Sequence, residues 1–202
     1  MKIRQVAPEL SGIRDDHVNR YRFAADILNQ VGVSGRVFDA GCGVGYGSNL
    51  IADECGLEVF AVDTCNEAIT YACEHYASNK VSFLEANMLD IPLADIDAMT
   101  MFEIIEHSDQ APALLERASR TVKYLFGSVP NENVVPFADG GYNTEHYRHY
   151  TPGEIQEELE NAGWIVRLLG SQIKKRGPGA KVNQGNTSGR TIVFFAQSKH
   201  SK

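Results

Sequence analysis

Apolar and polar positions along the chain follow two rhythms that take turns, one helical and one extended. Over residues 16–31, Val18, Tyr21, Phe23, Ala24, Ile27 and Leu28 recur at helical spacing and predict an amphipathic helix. The short apolar run RVFDA at 36–40 ends in glycine-rich punctuation, which predicts a buried strand entering a tight turn. A helix follows over 45–55, then a strand at 57–63 (LEVFAVD), a helix at 66–76, a strand at 81–84 and a loop at 85–93. Next come a strand at 96–105, a helix at 111–121 and a strand at 124–129 closed by Pro130. Thr151 as N-cap with Pro152 in the first turn starts another helix, which stops at Gly163. Two β-rich segments, 164–169 and 191–196, are joined by the polar connection KKRGPGAKVNQGNTSGR.

Strands alternating with helices imply an α/β fold with a doubly wound, mostly parallel sheet whose ligands lie beyond the carboxyl ends of the strands. The non-helical connection between the final two segments predicts an antiparallel C-terminal edge pair. At 202 residues the chain has the size of one domain, read as a cap segment over 1–34 and a core over 35–202.

Composition narrows the partners. A net charge of −7 argues against a surface that is mainly a nucleic-acid footprint, while leaving room for a local basic patch. No apolar run approaches the roughly 18 residues of a membrane span, and the opening MKIRQVAPELSG lacks the apolar region of a secretory signal. The expected location is the cytoplasm, without membrane attachment. Cys42, Cys55, Cys65 and Cys73 form no CxxC pair and are read as reduced thiols, with Cys42 packed inside the glycine-rich turn.

That turn, VFDAGCGVGYG, carries the strongest local signal. Gly41, Gly43 and Gly45 let the backbone turn sharply and approach a ligand, and the helix start offers N–H groups. Asp63 closes the next strand about 20 residues on, where a carboxylate can accept hydrogen bonds from both ribose hydroxyls of a nucleoside ligand. The GxGxG spacing fits a nicotinamide dinucleotide less well than GxGxxG would.

These residues, with HVNRYRFAADIL, FLEANMLDIPL, FEIIEH and HYRHYTPGEIQEELENAGW in the same order, resemble the class I S-adenosylmethionine (SAM) dependent methyltransferases over nearly the whole chain. The resemblance implies a Rossmann-like domain with SAM as cofactor. It places Asp39 and the loop from Gly41 to Gly45 at the methionine end of SAM, Asp63 at the ribose, and Asn87 with the Met88 backbone at the adenine. Similar proteins commonly carry Asp where this chain has Asn87, although an Asn carbonyl can accept the same bond. Another departure is Thr121-Val122-Lys123, where many have Pro-Gly-Gly. Arg20, on the helix that would lie over the cofactor, is either a partner of the methionine carboxylate or a surface arginine.

Glu103, Glu106 and His107 fall at the predicted end of the fourth strand and are combined with His146. Such oxygen and nitrogen donors can hold Mg²⁺ or Mn²⁺, which polarises a hydroxyl and lowers its pKa. The ExxEH pattern resembles ubiquinone-pathway O-methyltransferases and small-RNA 2′-O-methyltransferases; in the latter a histidine five positions before a Thr completes the metal shell, as His146 precedes Thr151. It is also widespread among small-molecule methyltransferases with no established metal, and there His107 would act as general base. The expected reaction is in-line transfer to a hydroxyl or amine of a small-molecule acceptor. RNA and a non-catalytic SAM-binding module are the alternatives, and oligomeric state is left open.

Two segments remain. Residues 131–150 are rich in polar and aromatic side chains, and Tyr142 and Tyr150 either stack on a planar acceptor or pack on the sheet. The stretch 174–190, with Lys174, Lys175, Arg176, Lys181 and Arg190 and no acid, is either a contact for phosphates, carboxylates or a partner, or a solvated hairpin connection.

Overall fold

In the computed structural model, which describes residues 10–137 and 145–201, the strand predicted at the glycine turn is β1 (Arg36–Ala40), and all but its first residue are buried. It is an inner strand of one eight-stranded sheet with β2 (Glu58–Asp63), β3 (Val81–Glu85), β4 (Ile96–Phe102), β5 (Tyr124–Pro130), β6 (Trp164–Gln172), β7 (Asn183–Gln184) and β8 (Thr191–Ser198). The order is β3-β2-β1-β4-β5-β8-β6-β7. The first five strands pair in parallel, and β8 runs antiparallel to both β5 and β6. The last strand is therefore inserted between two earlier ones, and the edge beyond β6 is finished by the two-residue β7.

Period-2 alternation sends neighbouring residues to opposite faces, and each face has its own core. Val37, Phe126 and Phe195 join the layer formed with α1 (Asp15–Gln30), α2 (Tyr46–Cys55) and α3 (Asn66–Tyr76). Phe38, Leu125 and Phe194 join the other, with α4 (Ala111–Ser119) and α5 (Pro152–Asn161). Burial on both faces is why the inner strands read as nearly continuous apolar runs. α5 starts as its residues predict: Thr151 accepts from the Glu154 N–H while the Glu154 carboxylate accepts from the Thr151 N–H, a reciprocal capping box.

Trp164, fully buried, locks α4 to β6 by donating its indole N–H to the Leu115 carbonyl at 2.9 Å. Trp164→Ala is expected to lower unfolding free energy by about 3–5 kcal/mol, since it opens a large cavity and orphans a carbonyl. Denaturant unfolding followed by circular dichroism checks this.

Three differences from the sequence reading concern the site. β4 stops at Phe102 rather than 105, because Glu103 adopts φ +57 and the chain winds into a 3-10 turn over Ile105–His107. β6 runs on to Gln172. The basic connection is tied down: the Lys175 carbonyl accepts from the Asp16 N–H, and the Gly177 N–H donates to the Asp15 carboxylate, fixing it to the start of α1.

Candidate active site

The glycine turn leaves β1 at the carboxyl edge of the sheet. Gly41, Gly43 and Gly45 all have positive φ, at +75, +55 and +87. At Gly41 a side chain would also collide with Ile104, just beyond the end of β4, so that strand end lies directly against the loop. At Gly43 an added Cβ would meet nothing within 4 Å, so its backbone borders open space that a ligand can occupy. The Gly41 and Cys42 N–H groups bond the Val62 carbonyl at 2.8 and 2.9 Å, tying the loop to the end of β2.

Asp63 faces this loop. Its carboxylate accepts from the Gly43 N–H and from the Cys65 N–H, each at 2.9 Å, which orients both oxygens at the strand end. Beneath the loop, Asp39 is fully buried and accepts from Ser48 Oγ and Thr100 Oγ1 at 2.6 Å and from the Tyr21 hydroxyl at 3.2 Å. Burial pushes its pKa up, and those three hydroxyls oppose the rise by stabilising the charged form. The residue expected at the methionine end thus has both oxygens bonded inside the protein and supports the loop from below. Cys42 is also buried, and desolvation with Asp39 and Asp63 nearby keeps it a thiol, in keeping with a packing role.

Asn87 caps the 3-10 turn Met88–Asp90, accepting the Leu89 N–H at 3.0 Å. One lone pair of the same oxygen is left for a ligand, so capping and adenine recognition are compatible. Arg117 holds this turn from outside through the Leu89, Met88 and Ile91 carbonyls.

Arg20 is not a surface residue. It is fully buried and donates to Gln172, Ser128 and Asp16, and its Nη1 lies 3.3 Å from Glu103 Oε1. With its guanidinium committed to these groups it anchors α1 to the ends of β4, β5 and β6, partners too distant along the chain for any spacing to reveal. Glu103 is drawn to the same hub, accepting from Ser128 Oγ at 2.9 Å.

Glu106, His107 and His146 converge instead, with their ligating atoms all within 4.8 Å of one another. Glu106 is fully buried, and His107 Nε2 stands 3.9 Å from its Oε1. The His107 and His146 rings meet edge to face with centroids 4.4 Å apart. Among the described residues the four-residue shell expected from the sequence is therefore a trio: the left-handed turn at Glu103 rotates its carboxylate toward Arg20 and away from the other three. Tyr150 packs rather than stacks, since it is buried with its hydroxyl on Glu158 and Arg148 over its ring. Tyr142 lies outside the described residues.

A family profile for a methyltransferase domain matches residues 38–124, the stretch that builds β1 through the start of β5. The chain is also 35% identical over 135 residues to a probable S-adenosylmethionine-dependent methyltransferase of Mycobacterium tuberculosis. Over that stretch the chain carries a methyltransferase domain and is similar to SAM-dependent methyltransferases. The mycobacterial match covers 64% of this chain and 48% of that protein, so the chain spans about half the length of the curated relatives it matches. Two solved methyltransferases share the fold. The methyltransferase domain of a bacterial Hen1 superposes with TM-score 0.68 at 21% identity, covering 91% of this chain and 98% of that one. Magnesium protoporphyrin IX methyltransferase from Synechocystis, with bound S-adenosylhomocysteine, gives 0.68 at 18% identity, covering 96% and 89%. SAM is named as the cofactor of the mycobacterial relative, and the Synechocystis enzyme holds its product S-adenosylhomocysteine. The open backbone at Gly43 and the oriented Asp63 carboxylate suit such a nucleoside ligand. No helix among the described residues is long and apolar enough to cross a membrane.

Proposed function

We propose that this methyltransferase domain methylates a hydroxyl or amine of a small-molecule acceptor, activated at the Glu106–His107–His146 cluster. The observation that carries the proposal is the convergence of His146 on Glu106 and His107, which follow β4 just after Ile104, the residue packed against the glycine loop. Bound SAM supplies an electrophilic methyl group on a sulfonium centre. Asp63 accepts the ribose hydroxyls, Asn87 and the Met88 backbone bound the adenine, and the Gly43 backbone leaves room for the methionine end. Glu103 is held apart from the cluster by Arg20 and Ser128.

The cluster's task is to take up or weaken the acceptor's proton. His107 and Glu106 side by side can do this as general bases. One carboxylate and two imidazoles also fit a divalent ion such as Mn²⁺, softer than the all-oxygen shell Mg²⁺ prefers, and an ion there would lower a hydroxyl pKa. In either case the rate depends on holding the acceptor close and in line with the methyl group.

Transfer from isotopically labelled SAM, offered pools of metabolites and of RNA with and without EDTA, tests the proposal. Label in a small hydroxyl or amine compound supports it, and loss of transfer with EDTA assigns a metal to the cluster. Label confined to RNA, with steep salt dependence, replaces it with the RNA reading. SAM binding without transfer to any pool leaves the non-catalytic module.

A further inference from the structure

Both imidazoles of the cluster have their protons placed from behind. His107 Nδ1 lies 3.1 Å from the Glu145 carbonyl. A carbonyl can only accept, so Nδ1 bears a proton, and in the neutral ring Nε2 then carries the lone pair. At His146 the partner of Nδ1 is another imidazole, Nε2 of His149 at 2.7 Å, a contact that could run in either direction.

A third contact decides it. His149 Nδ1 sits 2.6 Å from the Val135 carbonyl, which forces the proton onto that nitrogen. Nε2 of the neutral His149 ring must then accept, His146 must donate from Nδ1, and the lone pair of His146 falls on Nε2. Glu132 Oε2, 3.8 Å from the same His149 nitrogen, adds a negative charge on the side where the proton is needed, and it is held there by the Phe137 N–H at 2.7 Å.

The backbone explains why this arrangement is rigid. After β5 the chain turns so that the Val135 N–H bonds the Asn131 carbonyl at 2.7 Å, while the Tyr150 N–H returns to the Pro130 carbonyl. His149 is thereby clamped between the turn and the start of α5. It is 8% exposed, so water competes little for its nitrogens.

We infer that His149 is a positioning residue: backed by the Val135 carbonyl and Glu132, it holds His146 in the Nδ1–H tautomer and so presents the Nε2 lone pair to the cluster. This rests on the proposed function only in assigning that lone pair a task. The geometry itself concerns the protein alone. Buried outer partners of this kind fix the orientation and tautomer of ligating histidines, and their loss typically weakens metal binding by about 10–100-fold.

The test uses the metal-free 202-residue chain labelled with ¹⁵N-histidine, whose long-range ¹H–¹⁵N spectra report which ring nitrogen is protonated. The wild type should show His107 and His146 protonated at Nδ1. In His149→Phe, His146 should lose its single tautomer and gain Nε2–H, with His107 unchanged. His149→Gln should restore the wild-type pattern, because its amide can donate to Val135 and accept from His146. Mn²⁺ affinity, read by water-proton relaxation, should fall about 10–100-fold in the Phe variant and recover in the Gln variant. An Nε2–H tautomer for His146 in the wild type overturns the inference even if the Phe variant fails to fold. So does an unchanged Nδ1–H signal in the folded Phe variant. Full methyl transfer by His146→Ala would instead remove the proposed role of the cluster and leave the tautomer result standing, so the two failures are distinguishable.

Discussion

Asp63→Ala is expected to weaken SAM binding by about 10²–10⁴-fold, because two hydrogen bonds from ribose hydroxyls to a carboxylate are lost at about 1.5–3 kcal/mol each. The same oxygens accept the Gly43 and Cys65 N–H groups, so the loop also loses its orientation toward the end of β2. Both bonds are part-buried, so the unfolding midpoint should fall as well, with a loss of about 1–3 kcal/mol in unfolding free energy. Isothermal titration with SAM and with S-adenosylhomocysteine measures the effect. Unchanged affinity in the alanine variant would remove Asp63 from the cofactor site. Asp63→Asn should fall between, since one carbonyl oxygen replaces two carboxylate oxygens.

Glu106→Gln is the second large effect, expected to reduce the transfer rate by about 10²–10⁴-fold, the range for loss of a positioned proton acceptor. The substitution conserves volume at a fully buried position while removing the charge that faces His107 Nε2. SAM affinity should be retained, because the ribose and adenine contacts lie at the ends of β2 and β3. A fall in SAM affinity as large as the fall in rate would show that the residue serves the cofactor rather than the acceptor. Glu103→Gln is the comparison: its effect should appear in SAM binding and stability through the Arg20 hub.

The parts of this site that can be read in the sequence are those whose chemistry is local. The glycine loop and Asp63 belong to one strand-turn-helix-strand unit, so spacing alone brings them together, and the structure places the carboxylate against the loop. Asp39 was visible as a residue but not in its role, because its three partners come from α1, α2 and β4 and no spacing links them. Glu103 and Glu106 look equivalent in ExxEH until φ +57 at Glu103 sends the two carboxylates to different neighbours. Backbone handedness of that kind leaves no pattern in a non-glycine residue. His149 was one more polar residue in HYRHYT, and its meaning depends on a carbonyl 14 residues earlier.

At the fold level the helix and strand order followed from periodicity, whereas the position of β8 did not. Both of its faces are apolar, as in any inner strand, and apolarity does not specify which two strands it separates. The register with β5 and β6 is set by packing, as when Phe195 lies over Phe126 with ring centroids 4.9 Å apart.

That position of β8 has a consequence during synthesis. Until residues 191–198 leave the ribosome, β5 has no neighbour on one side and β6 lacks the strand that joins it to the sheet, so the nascent domain carries an open hydrogen-bonding edge along β5. Closure awaits the final strand, and a ribosome stalled shortly before Thr191 would hold out a half-finished domain that is a natural client for a chaperone.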